Sequence, residues 1–268
     1  MPKFLSEEQV KFYKDNGFIK LENIFSKQEF DKFSDEYDDL FRAKKNDQLE
    51  AVWQGNDMKE LAKNKPVTVL SIHNLQFHSA AFTRVLMNDR LLDALEDIMG
   101  TPNVLLHHTK AHLKPPEKGA PYLMHQDYPY FPFEKHSMVA VFIHMDDTSP
   151  ENGGLAVYPG SHKLGPLESH TVSKDGEDYH YVDKDKWPLS GATPVLAKRG
   201  EVVVFSYLLL HGSYLNTSKD RVRRMFLIQL MSAEDEPAED KHRSYGQGMV
   251  LRGRNSKWDA SLRGRFMK

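Results

Sequence analysis

The chain of 268 residues is 40% hydrophobic and 28% charged, with no cysteine, thirteen histidines and a formal net charge of −2. That length makes one sizeable domain, or at most two, able to bury a core without disulfides. The missing cysteines exclude thiolate-held zinc, iron–sulfur clusters and a thiol nucleophile, and the near-neutral charge argues against nucleic acid or an anionic membrane as partner. Any metal must sit on nitrogen and oxygen. Apolar runs such as Val202 to Phe205 and Leu208 to Leu210 fall far short of the roughly 20 residues that span a bilayer. The opening MPKFLSEEQ holds no apolar stretch of signal-peptide length, and the closing Arg265 to Lys268 is not the SKL peroxisomal address, so a cytoplasmic enzyme is expected.

The elements then follow in chain order. Ser6-Glu7-Glu8-Gln9 reads as a capping box, with Leu5 and Val10 as a hydrophobic staple, opening a helix that ends near Asn16-Gly17. Ser26-Lys27-Gln28-Glu29 repeats the device, and Phe30, Phe33, Tyr37, Leu40 and Phe41 follow at helical spacing. Ala80 to Met87, and Arg90 to Met99 with Asn88 or Asp89 as cap and Gly100 as stop, predict two more helices. Beyond Gly100 the pattern turns to short β-branched and aromatic runs. These are Val104 to Leu113, Met138 to Met145, Leu155 to Tyr158, Val195 to Leu196, Glu201 to Phe205 and Arg223 to Met231, separated by Gly, Pro and Asn clusters. Many short strands punctuated this way predict a sandwich or barrel. The whole chain, 1–268, is expected to form one domain. It has a mainly helical support region at 1–100, a β core at 101–235, a polar insertion without clear period at 164–191 and a C-terminal extension at 236–268.

The histidines carry the chemistry. His125-Gln126-Asp127 sets an imidazole and a carboxylate two apart, on one face if the segment is a strand. A third ligand would complete a two-histidine, one-carboxylate triad, which leaves positions open on Fe(II) for a bidentate co-substrate and O2. His211 qualifies, because it follows a strongly apolar strand expected to continue from Val202 to Leu210 and precedes Gly212-Ser213, as a ligand at a strand end would. Arg223, at the start of the next strand, could bind a carboxylate bidentately. The pattern alone is ambiguous, since His144-Met145-Asp146 fits equally. His107, His108 and His112 also contain an i, i+4 pair, which a strand reading makes fortuitous.

Four segments resemble the phytanoyl-CoA dioxygenase family of iron- and 2-oxoglutarate-dependent oxygenases. They are Lys114-Pro115-Pro116 leading to His125-Gln126-Asp127-Tyr128-Pro129-Tyr130-Phe131-Pro132-Phe133; Asn152-Gly153-Gly154-Leu155 through Pro159-Gly160-Ser161-His162-Lys163; Gly200 to Phe205; and His211-Gly212-Ser213 with Asn216 and Arg223-Arg224. The resemblance implies a double-stranded β-helix, the jelly-roll or cupin-like core, with the N-terminal helices packed on it. It selects His125 and Asp127 over the second pair, makes His211 the third iron ligand and gives the distal carboxylate of 2-oxoglutarate to Arg223. The segment before the arginines is one residue longer than the family pattern, which leaves Arg221 and Arg224 as alternatives. Ser213, Gln126 and Lys110 are the further residues expected at the co-substrate. Position 143, aromatic in the animal enzyme and close to the co-substrate, is Ile143 here, and Lys110 replaces an apolar residue.

The implied cofactors are Fe(II) and 2-oxoglutarate, with ascorbate as an accessory reductant, and the implied partners are O2 and a small-molecule substrate. The expected reaction is hydroxylation of an unactivated C–H with release of succinate and CO2. An acyl-CoA such as phytanoyl-CoA, or another carboxylate, would be the substrate; Lys110, Lys114, Lys118 and Lys163 could form a basic rim for CoA. A small-metabolite hydroxylase and a non-catalytic metal-binding protein are the alternatives. A monomer or small homo-oligomer is expected.

Overall fold

The computed structural model describes residues 2–44, 50–51, 68–174, 177–239 and 244–258. Both capping boxes form. Ser6 accepts from the Gln9 amide while the Gln9 side chain accepts from the Ser6 amide, opening α1 (Glu7–Asn16), and Ser26 and Glu29 do the same for α2 (Lys27–Ala43). α1 stops at Gly17, whose φ of +78° and contact with the His162 ring leave no room for a side chain. Ser79 and Asn88 cap α3 (Ala80–Leu86) and α4 (Asp89–Met99).

Fourteen strands are described: β1 (Phe18–Leu21), β2 (Glu50–Ala51), β3 (Leu70–His73), β4 (Val104–Lys114), β5 (Tyr122–His125), β6 (Val139–His144), β7 (Leu155–Val157), β8 (His170–Lys174), β9 (Glu177–Tyr181), β10 (Thr193–Val195), β11 (Val202–Ser206), β12 (His211–Ser213), β13 (Arg223–Ser232) and β14 (Val250–Arg252). A large antiparallel sheet runs β1-β11-β6-β13-β4-β3-β2, with β14 also on β4, and a small one runs β10-β7-β12-β5. Their stacking is the expected jelly roll. The large sheet recruits β1 to β3 from the first hundred residues and β14 from beyond residue 236, so neither flank is merely appended to it.

β6 shows how the layers are built. Val139, Val141 and Ile143 pack toward the helices, while Ala140 and Phe142 point between the two sheets. With both faces covered, all six residues are buried and the strand reads as a continuous apolar run. On the helical side Phe33 of α2 and Phe82 of α3 both meet Phe226 of β13, at 5.5 and 5.6 Å between ring centroids. Truncating such a buried ring to alanine costs about 3–5 kcal/mol.

Two expectations change. The apolar run Val202 to Leu210 is not one strand: β11 ends at Ser206 in the large sheet, and His211 opens β12 in the small one. Tyr207 to Leu210 cross between the sheets fully or nearly fully buried, so hydropathy could not mark the break. The insertion at 164–191 contains the hairpin β8–β9 rather than irregular chain. One face of it is solvated and the other carries Val172 and Tyr179, too few apolar residues to give a visible period.

Candidate functional site

β5 and β12 are neighbours in the small sheet, and their register sets His211 opposite His125. The two candidate-ligand histidines thus come from adjacent strands, with ring centroids 4.2 Å apart. β5 ends at His125, and Asp127 lies just beyond it with helical backbone angles, φ −75° and ψ −18°. It is this turn, not strand alternation, that brings the carboxylate beside the imidazoles. Asp127 Oδ1 stands 3.7 Å from His125 Nε2 and 3.6 Å from His211 Nε2. Ligand atoms of the three residues all lie within 4.8 Å of one another, a convergence found at no other set of histidines and carboxylates among the described residues.

The backbone prepares these groups. His125 Nδ1 lies 2.7 Å from the Leu123 carbonyl and His211 Nδ1 3.0 Å from the Leu209 carbonyl. Each Nδ1 donates its proton there, which leaves each Nε2 lone pair facing the common point. Burial pushes both imidazoles down to about 4, with His211 adding to the effect on His125, so both are neutral and able to ligate at neutral pH. Burial raises the Asp127 carboxyl, opposed by His125 and by Gln229, whose Nε2 donates to Asp127 Oδ2 at 2.7 Å. Two neutral nitrogens and one carboxylate oxygen on one side of a cavity suit Fe(II) with open positions.

Three successive carbonyls of the β11–β12 connector bind the site. Tyr207 accepts from the Asp127 amide at 2.9 Å, Leu208 from Gln126 Nε2 at 2.6 Å, and Leu209 from His211 as above. Gln126 is thereby assigned. Its amide also reaches the Gly165 carbonyl and the Leu167 amide, so all its contacts are with backbone and it does not line the cavity where co-substrate binding was expected.

The triad opens onto a cavity of about 410 Å³ between the sheets. On β13 the alternate residues Arg223, Met225, Leu227 and Gln229 face it; on β4, His108, Lys110 and His112 do. Ser213 lines it too, from β12. Arg223 is 2% exposed and its Nε and Nη2 have no hydrogen-bond partner, while burial lowers its guanidinium to about 10. The two alternatives are occupied elsewhere. Arg224 holds Asp146 and Asp38, and Arg221 pairs with Glu151 at the surface. Phe142, not Ile143, lines the cavity, because β6 turns residue 143 to the helical side.

The second His-x-Asp pair does not converge. His144 is fully buried with neither ring nitrogen bonded, and Asp146 is tied to Arg224. Among the aromatic residues after Asp127, Tyr130 and Phe131 line the cavity, while Tyr128 packs on His136 and Tyr207. Sequence reasoning missed Gln229, Tyr179 and His180. Gln229 was accessible by counting in twos from Arg223; the other two come from the unrecognised hairpin.

The profile of the phytanoyl-CoA dioxygenase family, PhyH, matches residues 13–225. The chain is 30% identical over 238 residues to a probable alpha-ketoglutarate-dependent hypophosphite dioxygenase of Stutzerimonas stutzeri, covering 85% of this chain and 79% of that one. It is 31% identical over 229 residues to the peroxisomal phytanoyl-CoA dioxygenase of Rattus norvegicus, covering 80% of this chain but 65% of the rat enzyme. Iron-bound EctD from S. alaskensis superposes with a TM-score of 0.71 at 21% identity, over 92% of this chain and 86% of that one. The epimerase SnoN, in complex with Fe3+ and alpha-ketoglutarate, gives 0.66 at 19%, over 93% and 96%. Identities that low speak for the fold alone, but the family match spans most of the chain. The chain belongs to the phytanoyl-CoA dioxygenase family of iron- and 2-oxoglutarate-dependent dioxygenases.

Proposed function

We propose that the protein hydroxylates an unactivated C–H bond of a small organic acid, using O2 and 2-oxoglutarate and releasing succinate and CO2. The observation that carries this reading is the pairing, in one cavity, of the convergent triad with the unpartnered, buried Arg223. His125, Asp127 and His211 would hold iron, which supplies O2 activation coupled to oxidative decarboxylation, with one oxygen atom going to succinate and one to the substrate. Arg223 would fork onto the distal carboxylate of 2-oxoglutarate, with Ser213 as a hydroxyl partner. Gln229 holds the Asp127 carboxylate in place through its hydrogen bond. The apolar lining from Phe142, Leu155, Met225 and Leu227 limits water at the co-substrate.

A small substrate is favoured over an acyl-CoA because the four lysines that could serve CoA do not form a rim. Lys110 lies inside the cavity, Lys114 is fully buried, Lys163 pairs with Asp15, and Lys118 is exposed on the loop after β4. Lys110 would meet the substrate acid within Coulomb reach of Asp127. Ascorbate would serve as the accessory reductant.

Anaerobic Fe(II) with 2-oxoglutarate should give a metal-to-ligand charge-transfer band in the visible, and succinate release should rise with small acids above acyl-CoAs. No band from the intact protein would end the oxygenase reading. Turnover confined to acyl-CoAs would end the small-acid reading alone.

A further inference from the structure

Lys114 is fully buried at the end of β4, directly across from Arg223 in the β13 register. Its Nζ donates to Ser213 Oγ at 2.6 Å, to the Tyr214 carbonyl at 3.0 Å and to the Gly153 carbonyl at 3.4 Å, and it lies 5.2 Å from the centre of the Tyr122 ring. None of these partners is a carboxylate, and no carboxylate pairs with Arg223 among the described residues. Burial, then the charge of Arg223, pushes the lysine well below its usual range.

Two glycines leave room for this side chain. A Cβ on Gly119 would come within 2.7 Å of Lys114 Cβ, and one on Gly153, where φ is +85°, within 3.0 Å of its Cδ. Asn216 binds the Lys114 carbonyl from beneath. The fold thus encloses two basic side chains side by side with no anion, an arrangement in which their charged forms are unfavourable until a negative group arrives.

Resting on the reading of this cavity as a 2-oxoglutarate site, we propose that Lys114 is a positioning residue for the distal carboxylate, acting through Ser213. Because Ser213 Oγ accepts from Lys114 Nζ, its own proton is free to point into the cavity that Ser213 lines. The hydroxyl, oriented by its hydrogen bond from Lys114 Nζ, donates to the carboxylate beside Arg223. Lys114 itself does not line the cavity, so it selects the ligand's charge without touching it.

The test compares 2-oxoglutarate with 2-oxopentanoate, which keeps the chelating end and has a methyl in place of the distal carboxylate. Anaerobic titration of the charge-transfer band is run on wild type, Lys114→Met and Ser213→Ala. Lys114→Met should weaken 2-oxoglutarate about ten- to a hundredfold and leave 2-oxopentanoate within about twofold. Ser213→Ala should shift the ratio in the same direction, which keeps the question open to decision if Lys114→Met does not fold. Equal losses for both ligands, or an unchanged ratio in the variants, would overturn the role. Absence of a band in wild type would overturn the oxygenase reading and this role with it.

Discussion

The two His-x-Asp pairs share residue types and spacing, and even their position at the end of a strand, yet only one converges on a metal-binding geometry. His125 lies where β12 sets His211 opposite it and where the chain turns at once to swing Asp127 back. His144 ends a strand of the large sheet, opposite Met225, and its aspartate is drawn away by Arg224. What distinguishes them is the neighbouring strand and the turn that follows, neither of which the three-letter pattern contains.

The sharpest way to break this contrast is to remove a ligand from one pair and its counterpart from the other. His211→Ala should lower turnover by about 10³-fold or more and abolish the charge-transfer band, and Asp127→Ala should lower turnover comparably, because each removes one of the three groups that would hold Fe(II). His144→Ala should keep the band, and its loss there would mean that the wrong pair has been chosen. Next in size, Arg223→Met should raise the 2-oxoglutarate requirement by roughly ten- to a hundredfold, the worth of one or two charge-assisted hydrogen bonds. Arg224→Met should instead lower the melting temperature without moving that requirement, because its bonds go to Asp146 and Asp38.

Gln229→Leu probes the support behind the converging pair. Losing the bond to Asp127 Oδ2 should weaken iron binding about tenfold, measured by anaerobic titration, with the fold intact. The smallest effect belongs to the other pair. Burial, then the charge of Arg223, depresses His144 from 6.5 to about 3, so below pH 6.5 the unfolded chain takes up a proton that the folded one refuses. Its contribution is intact above pH 6.5 and drains away as pH falls toward 3, at about 1.4 kcal/mol per pH unit. His144→Leu should flatten the acid side of the stability curve by about that slope in urea unfolding at pH 5 to 6.5.

The helical caps were legible because Ser, Gln and Glu satisfy end amides within four residues of sequence. The residue pattern alone left two pairs in play, and it was the flanking segments carrying the family resemblance that pointed to His125 and Asp127. The sheet crossing after Ser206 was hidden, since residues buried in a connector look like residues buried in a strand. Gln126 was misplaced for a related reason: nothing in its neighbourhood reveals that its amide turns to the Leu208 and Gly165 carbonyls rather than into the cavity. Lys114 could be quoted as part of a motif, but its burial rests on Gly153 and on the Ser213 and Tyr214 partners of its Nζ, all distant in the chain.

The connector between β11 and β12 grips Asp127, Gln126 and His211 by three consecutive main-chain oxygens, which every amino acid possesses. The side chains of Tyr207, Leu208 and Leu209 could therefore be exchanged for others of similar bulk with the grip unchanged. Removing or adding one residue there would rotate each oxygen away from its client at once. The quantity under constraint is the number of links, and a catalogue of point substitutions would leave that constraint unnoticed.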